Sequence, residues 1–252
     1  MLKNKDFLGF FDLEPFSSDS TERLADVTAI YAHRGLHTVE RENTSRAFLG
    51  AKALGVTGVE LDVRRTLDAQ LVVHHDPVVE GALIAHTLRR DLPAHVEGLA
   101  TVMEACRGMR VNVEIKNIKD PSEPTYDATG DFVRQVLAFL YESNWERSVL
   151  VSCFDEATCA LVRTLDSRIA VGWLVWDVEL VSALTQAYVL GLDAVNPHFS
   201  VLTPEAMGKA RELGVEVNVW TVNNPRDIKA MAELGVASII TDDPALALSL
   251  VG

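Results

Sequence analysis

Hydrophobic positions along the chain follow two alternating rhythms. Short β-branched runs lie near residues 29–33, 58–64, 111–116, 148–154, 170–176, 193–198, 216–222 and 238–242, and a helix-like amphipathic stretch follows each. Asn43-Thr44 before SRAFLGAKALG, Thr203-Pro204 before EAMGKARELG and Asn224-Pro225 before RDIKAMAELG read as helix starts, and Gly55, Gly214 and Gly235 as stops. Strand and helix in alternation imply a parallel sheet with helical crossovers. Eight such units between residues 28 and 252 fit a closed (β/α)8 TIM barrel better than an open sheet.

One further run breaks the rhythm. Gln70-Leu71-Val72-Val73-His74 follows the second strand too closely for a helical crossover, so it is expected to return antiparallel through a turn at Thr66-Leu67-Asp68-Ala69. That hairpin brings His75 back to the barrel mouth. Residues 1–27, irregular and rich in Ser and Asp, read as an N-terminal arm; residues 28–252 read as a single barrel domain with a short insertion at about 77–98.

Composition narrows the class. The 252 residues carry 23 Lys+Arg against 36 Asp+Glu, a formal charge of −13, with 48% hydrophobic residues. An acidic globular chain is ill suited to nucleic acid or an anionic membrane, both of which need clustered cations. The three cysteines, Cys106, Cys153 and Cys159, form no CxxC pair, which favours neither a disulfide framework nor a zinc ribbon. Charges at Asp6, Asp12 and Glu14 interrupt any signal-like stretch, and no apolar run is long enough to span a bilayer. A cytoplasmic location without membrane insertion is the expectation.

In a barrel the chemistry gathers where strands end at the C-terminal face. His33-Arg34-Gly35 ends the first strand, Glu60-Leu61-Asp62 lies late in the second, His75-Asp76-Pro77 ends the hairpin arm, and Glu114-Ile115-Lys116 closes the third barrel strand. Because strand side chains alternate, Glu60 and Asp62 share a face, as do Glu114 and Lys116. Three carboxylates then converge, and like charges at that spacing push at least one pKa upward unless a cation joins them. An all-oxygen set suits Mg²⁺ or Ca²⁺. With such an ion, plus Arg34 and Lys116, the formal site charge becomes about +1, enough to draw in a singly charged phosphodiester on an acidic protein. His33 and His75 remain as proton-transfer groups near neutrality.

These residues carry a family resemblance. Through HRG at His33 to Gly35, ENT at Glu42 to Thr44, ELDV at Glu60 to Val63, HD at His75-Asp76, EIK at Glu114 to Lys116, the Ser152-Cys153-Phe154 stretch, WTVN at Trp220 to Asn223 and IITDDP at Ile239 to Pro244, the chain resembles the glycerophosphodiester phosphodiesterases over roughly residues 29–248. The resemblance implies a metal-dependent barrel hydrolase that releases glycerol 3-phosphate and an alcohol from small glycerophosphodiesters. It assigns His33 and His75 to acid/base catalysis, Glu60, Asp62 and Glu114 to the metal, Arg34 and Lys116 to phosphate, and Trp220 to the pocket wall.

Three positions depart from the family's pattern: Arg41 stands where a proline usually precedes ENT, Ala69 replaces the hairpin-turn glycine, and the insertion after His75-Asp76 is short. A shortened cover keeps two other readings open, a lysophospholipid-cleaving enzyme of phospholipase D type and a non-catalytic barrel that binds glycerol phosphates. Among the remaining residues, the charge run Glu40-Arg41-Glu42 reads by default as a solvated loop, with bracing of the site by Glu42 as the alternative. Asp242 and Asp243 are expected to cap the last helix, His74 to face away from the site, and Trp173 and Trp176 to serve packing. His198, ending a barrel strand, is a further candidate for the mouth, and His37 shows no partner.

Overall fold

The computed structural model describes residues 28–120 and 124–251, so the arm expected over 1–27 lies outside the described residues. The strands are β1 (Ala29–His33), β2 (Gly58–Arg65), β3 (Leu71–Val73), β4 (Val78–Val79), β5 (Ala82–Leu83), β6 (Arg110–Ile115), β7 (Val149–Cys153), β8 (Ala170–Val175), β9 (Ala194–Pro197), β10 (Glu216–Val219) and β11 (Ser238–Thr241). The helices are α1 (Ser45–Leu54), α2 (Leu99–Ala105), α3 (Asp131–Glu142), α4 (Glu156–Leu165), α5 (Leu180–Val189), α6 (Pro204–Leu213), α7 (Pro225–Leu234) and α8 (Pro244–Val251). The main sheet runs β1-β11-β10-β9-β8-β7-β6-β2-β3, and a β1–β2 pairing closes it into a parallel barrel with β3 as an antiparallel appendage. This is the (β/α)8 TIM barrel that the alternating pattern implies.

The helices start and stop for local reasons. Thr44 and Thr203 accept hydrogen bonds from the backbone N–H groups of Ala47 and Ala206, and Asn224 from that of Arg226. Gly55, Gly214 and Gly235 end α1, α6 and α7 in the left-handed conformation, at φ 80°, 70° and 75°.

Alternation along the strands sorts the core into two layers. Leu61 and Val63 of β2, Val111, Val113 and Ile115 of β6, and Val151 of β7 face outward and pack with Phe48, Val102, Met103, Val136 and Leu140 of the helices. Each such side chain contributes roughly 1.5–3 kcal/mol on burial, so this outer layer carries most of the stability. The inward layer is different. Leu150, Ala170 and Ala194 form an apolar cluster there, Tyr31, Leu174 and Ile240 are buried on inward strand positions, and buried Asn112, Ser152, Asn196, Asn218 and Ser238 share the interior with them. Asn218 donates to the Asn196 side-chain oxygen at 3.0 Å and accepts from Ser238 Oγ at 2.7 Å. The barrel interior therefore mixes polar and apolar side chains beneath the mouth.

β2 continues past the barrel rim and turns back into β3, with Val63 opposite Val73 and Arg65 opposite Leu71. The turn is held by Ala69 N–H on Thr66 O and by Gln70 N–H on Thr66 Oγ1, both at 3.0 Å. Ala69 adopts φ +56°. The short insertion is folded in its own right. A β4–β5 hairpin turns through Glu80 and Gly81, both at positive φ, and Val79, Ile84, Leu92 and Val96 bury themselves against Val72 of β3. Its far end is tied down by Glu97, whose carboxylate receives the N–H and hydroxyl of Ser45 at the start of α1.

The left-handed alanine generates a prediction. Such a conformation costs an L-residue roughly 1 kcal/mol, partly offset by the greater unfolded-state freedom of glycine. Ala69→Gly is therefore expected to raise Tm by about 1–3 °C in a thermal melt. A lower Tm in the variant would contradict a strained turn.

Candidate active site

Strand register builds the site. Asp62 pairs with Glu114 across β2 and β6, Glu60 lies two residues back on the same face, and His33 of β1 pairs with Glu60. All three carboxylates are buried, with one oxygen of each lying within 4.8 Å of the others. Lys116, buried just beyond β6, places Nζ 2.8 Å from Glu114 Oε1 and 3.2 Å from Asp62 Oδ1. Arg34 approaches from the other side, its Nε 3.4 Å from Asp62 Oδ2 and its backbone N–H on Glu60 Oε2 at 3.2 Å.

The three-residue motifs have separate physical jobs. In HRG, Arg34 and Gly35 both sit at positive φ, and a Cβ on Gly35 would lie 2.7 Å from Ala47 of α1, so only glycine lets the strand end pack this closely on the helix. In ENT, both oxygens of Glu42 receive Arg34 Nη1 at 3.2 Å, Asn43 donates to Asp62 Oδ2 at 2.7 Å, and Thr44 caps α1. Glu42 thus braces the site. Asn43, read from the sequence as part of ENT and of a helix start, also orients a carboxylate.

The charges do not balance, and the pKa directions show where the strain falls. Burial would raise Asp62, but Lys116 and Arg34 outweigh it and hold this carboxyl far below the usual range. Burial likewise opposes the charge on Lys116, and Glu114 with Asp62 overcomes it, leaving the ammonium more firmly protonated than an ordinary lysine. Glu60 takes the deficit. Burial first, then Asp62 and Glu114, push its pKa well above the ordinary value, and its Oε1 is buried without a hydrogen-bond partner. An orphaned carboxylate oxygen in an all-oxygen cluster fits a hard divalent cation.

Both sequence-predicted histidines reach the mouth. His33 turns Nε2 toward Glu60 Oε2 at 3.8 Å. His75, following β3, is about one-third exposed and sets Nδ1 2.8 Å from Asp76 Oδ1; it is near enough to Asp62 to lower that residue's pKa. The backbone carbonyl of His75 receives Nε of buried Arg64 at 2.8 Å. His74 instead turns Nδ1 toward the carbonyl of Asp76.

The opposite wall is aromatic. Trp220 donates its indole N–H to Asn196 O at 2.7 Å and stands edge to face with Phe154 and Trp176, at 5.4 and 5.5 Å between ring centroids. His198 stacks on half-exposed Trp176 at 4.9 Å. His198 and Trp176 therefore join Trp220 in one aromatic cluster, where the expectation for Trp176 was packing.

One sequence expectation is corrected. Asp243 alone caps α8, accepting from Leu246 N–H at 3.0 Å, whereas Asp242 turns to the barrel and meets His33 Nδ1 at 2.6 Å and His37 Nε2 at 2.8 Å. Both contacts span more than 200 residues of chain, so no local spacing announces them.

Among the described residues no helix is long and apolar enough to cross a membrane. Residues 33–246 match the Glycerophosphoryl diester phosphodiesterase family. The chain is 30% identical to a glycerophosphodiester phosphodiesterase of Caldanaerobacter subterraneus subsp. tengcongensis, over 89% of this chain and 98% of that one, and 28% identical to one of Bacillus altitudinis with the same coverage. Among solved structures it is similar to a glycerophosphodiester phosphodiesterase of Parabacteroides distasonis, with a TM-score of 0.80 and 25% identity over 90% of this chain and 97% of that one. The matched span begins at His33 and takes in every carboxylate, cation and imidazole of the mouth, and the chain belongs to the glycerophosphodiester phosphodiesterase family.

Proposed function

We propose that this mouth hydrolyses small glycerophosphodiesters, such as glycerophosphocholine, to glycerol 3-phosphate and an alcohol by two-histidine acid/base catalysis, with a divalent cation of the Mg²⁺ or Ca²⁺ type held by Glu60, Asp62 and Glu114. One arrangement supports this reading above all: two imidazoles, each with Nδ1 on a carboxylate, beside a buried carboxylate cluster that is short of positive charge. An imidazole so held keeps Nε2 for the substrate. One Nε2 takes the proton of the attacking hydroxyl and the other returns a proton to the departing alcohol oxygen as its P–O bond breaks. Arg34 and Lys116 supply positive charge beside the phosphoryl oxygens, and Trp220 forms part of the wall facing them. A bound cation offsets the carboxylate charge and stabilises negative charge on the phosphate.

Dialysis against EDTA is expected to abolish release of glycerol 3-phosphate from glycerophosphocholine, and added Mg²⁺ or Ca²⁺ to restore it. Turnover that survives thorough chelation contradicts the metal assignment. Lysophosphatidylcholine assayed in parallel is expected to react poorly; its exclusive turnover would reassign the substrate.

His33→Ala and His75→Ala are each expected to lower kcat by about 100- to 10,000-fold with little change in Tm. Parent-like kcat in either variant removes that histidine from the mechanism.

Glu60 links function to stability. Its pKa is higher in the folded chain than the ordinary 4.5, so above pH 4.5 the folded state holds the extra proton and metal-free stability falls as pH rises. Glu60→Gln has no proton to lose. The variant is expected to be inactive, to melt higher than the parent in EDTA near neutral pH, and to lose the Tm increase that Mg²⁺ or Ca²⁺ gives the parent. A parent whose Tm responds to neither ion contradicts the proposed ligand set.

A further inference from the structure

The family motifs toward the C-terminus, WTVN and IITDDP, place no residue in the carboxylate cluster, and Trp220 stands in the aromatic wall. Their polar residues meet elsewhere. The β1–β11 register sets Ala32 beside Thr241, and the next residues outward are His33 and Asp242. Asp242 Oδ1 faces both His33 Nδ1, at 2.6 Å, and His37 Nε2, at 2.8 Å. Asn223, from WTVN, donates Nδ2 to Asp242 Oδ2 at 2.6 Å, while its own oxygen accepts the Asp242 backbone N–H at 2.9 Å and the Thr241 hydroxyl at 3.1 Å. The carboxylate is thus gripped at both oxygens and at its own peptide. Asp243 serves the helix, so Asp242 has no capping duty.

The chemistry of the contact decides the histidine's state. Burial would raise the pKa of Asp242, but hydrogen bonds from His33 and His37 outweigh it and hold the carboxyl well below its usual range. An ionised carboxylate only accepts. In the neutral imidazole of His33 the proton therefore sits on Nδ1, and the lone pair is left on Nε2, the nitrogen that faces Glu60. The opposite tautomer would set a lone pair against a carboxylate at 2.6 Å. His37 approaches with its ring nearly perpendicular to that of His33, at 77° and 6.2 Å between centroids, so it holds Oδ1 from a second direction and resists rotation of the carboxylate.

We propose that Asp242 is a positioning residue, steadied by His37 and Asn223, that fixes the ring orientation and tautomer of His33. This rests on the catalytic assignment of His33 made above. Asp242 touches no reacting atom; it acts by holding Nδ1 of His33 as the donor to its own oxygen, which leaves Nε2 for proton transfer and aimed at the substrate. The same division of labour recurs wherever a carboxylate orients a catalytic imidazole.

The test compares variants of the full chain with Mg²⁺ and glycerophosphocholine. Asp242→Asn preserves shape but leaves one acceptor oxygen where the carboxylate has two, so a donor faces either the histidines or Asn223, and it is expected to lower kcat by about 100-fold or more while KM and Tm stay close to the parent's. His37→Asn, which leaves the carboxylate in place, is expected to cost about 3- to 10-fold in kcat, since only one of the carboxylate's supports is lost. Nitrogen-15 NMR of the imidazoles is expected to find His33 protonated at Nδ1 in the parent and redistributed in Asp242→Asn. Adding Asp242→Asn to His33→Ala should cost little more than His33→Ala alone, because the first acts through the second.

Parent-like kcat in Asp242→Asn, a loss confined to KM, or a His33 proton on Nε2 in the parent overturns the proposal. The two readings fail separately. An active His33→Ala variant sinks the catalytic assignment, whereas an inactive His33→Ala beside a fully active Asp242→Asn sinks only the role given to Asp242.

Discussion

Too much negative charge is packed into one dry place. Glu60, Asp62 and Glu114 are brought together by the register of β2 on β6, and the register cannot change by one residue without turning Leu61 and Val63 inward. Removing charges from water costs several kcal/mol for each ion even after relaxation, so the cluster exists only because other parts of the fold hold it. Lys116 and Arg34 satisfy Asp62 and part of Glu114, while Glu60 is left with a raised pKa and an orphaned oxygen. The site is therefore built to gain stability when positive charge arrives.

That local instability is tolerable because the stabilising packing lies outside the barrel. The outward residues of the strands and the inward faces of the helices form one continuous apolar layer, and Glu60, Asp62, Glu114, His33 and His75 are no part of it. Inside, the apolar cluster of Leu150, Ala170 and Ala194 shares the barrel with buried asparagine and serine beneath the mouth. Gly172 makes this possible at one point, since a Cβ there would lie 2.9 Å from Asn196 Oδ1. A polar lining lets charged groups stand above it without an abrupt dielectric step, and it orients Trp220 through the carbonyl of Asn196.

The two histidines reach similar states by different routes. His75 finds its carboxylate in the next residue, Asp76, and its backbone is clamped by Arg64 across the hairpin. His33 finds Asp242 only because β11 closes the barrel against β1. A barrel gives both arrangements from one geometry, because every strand delivers its last side chains to the same rim.

Periodicity and punctuation in the chain specified most of the architecture: eight strand–helix units, the hairpin after β2, and the caps at Thr44, Thr203 and Asn224 follow from interactions within a few residues. Alternation likewise puts Glu60 with Asp62, and Glu114 with Lys116, on one face of each strand. Tertiary structure decided the rest. The fold of the insertion depends on Val79, Ile84, Leu92 and Val96 meeting Val72 of β3, an apolar association with no period to read. The pairing of Asp242 with His33 and His37 depends on barrel closure, and the aromatic wall joins residues that follow four different strands. Local hydrogen bonds and alternation leave a signature in sequence because their partners are neighbours along the chain; contacts made across the closed barrel leave none.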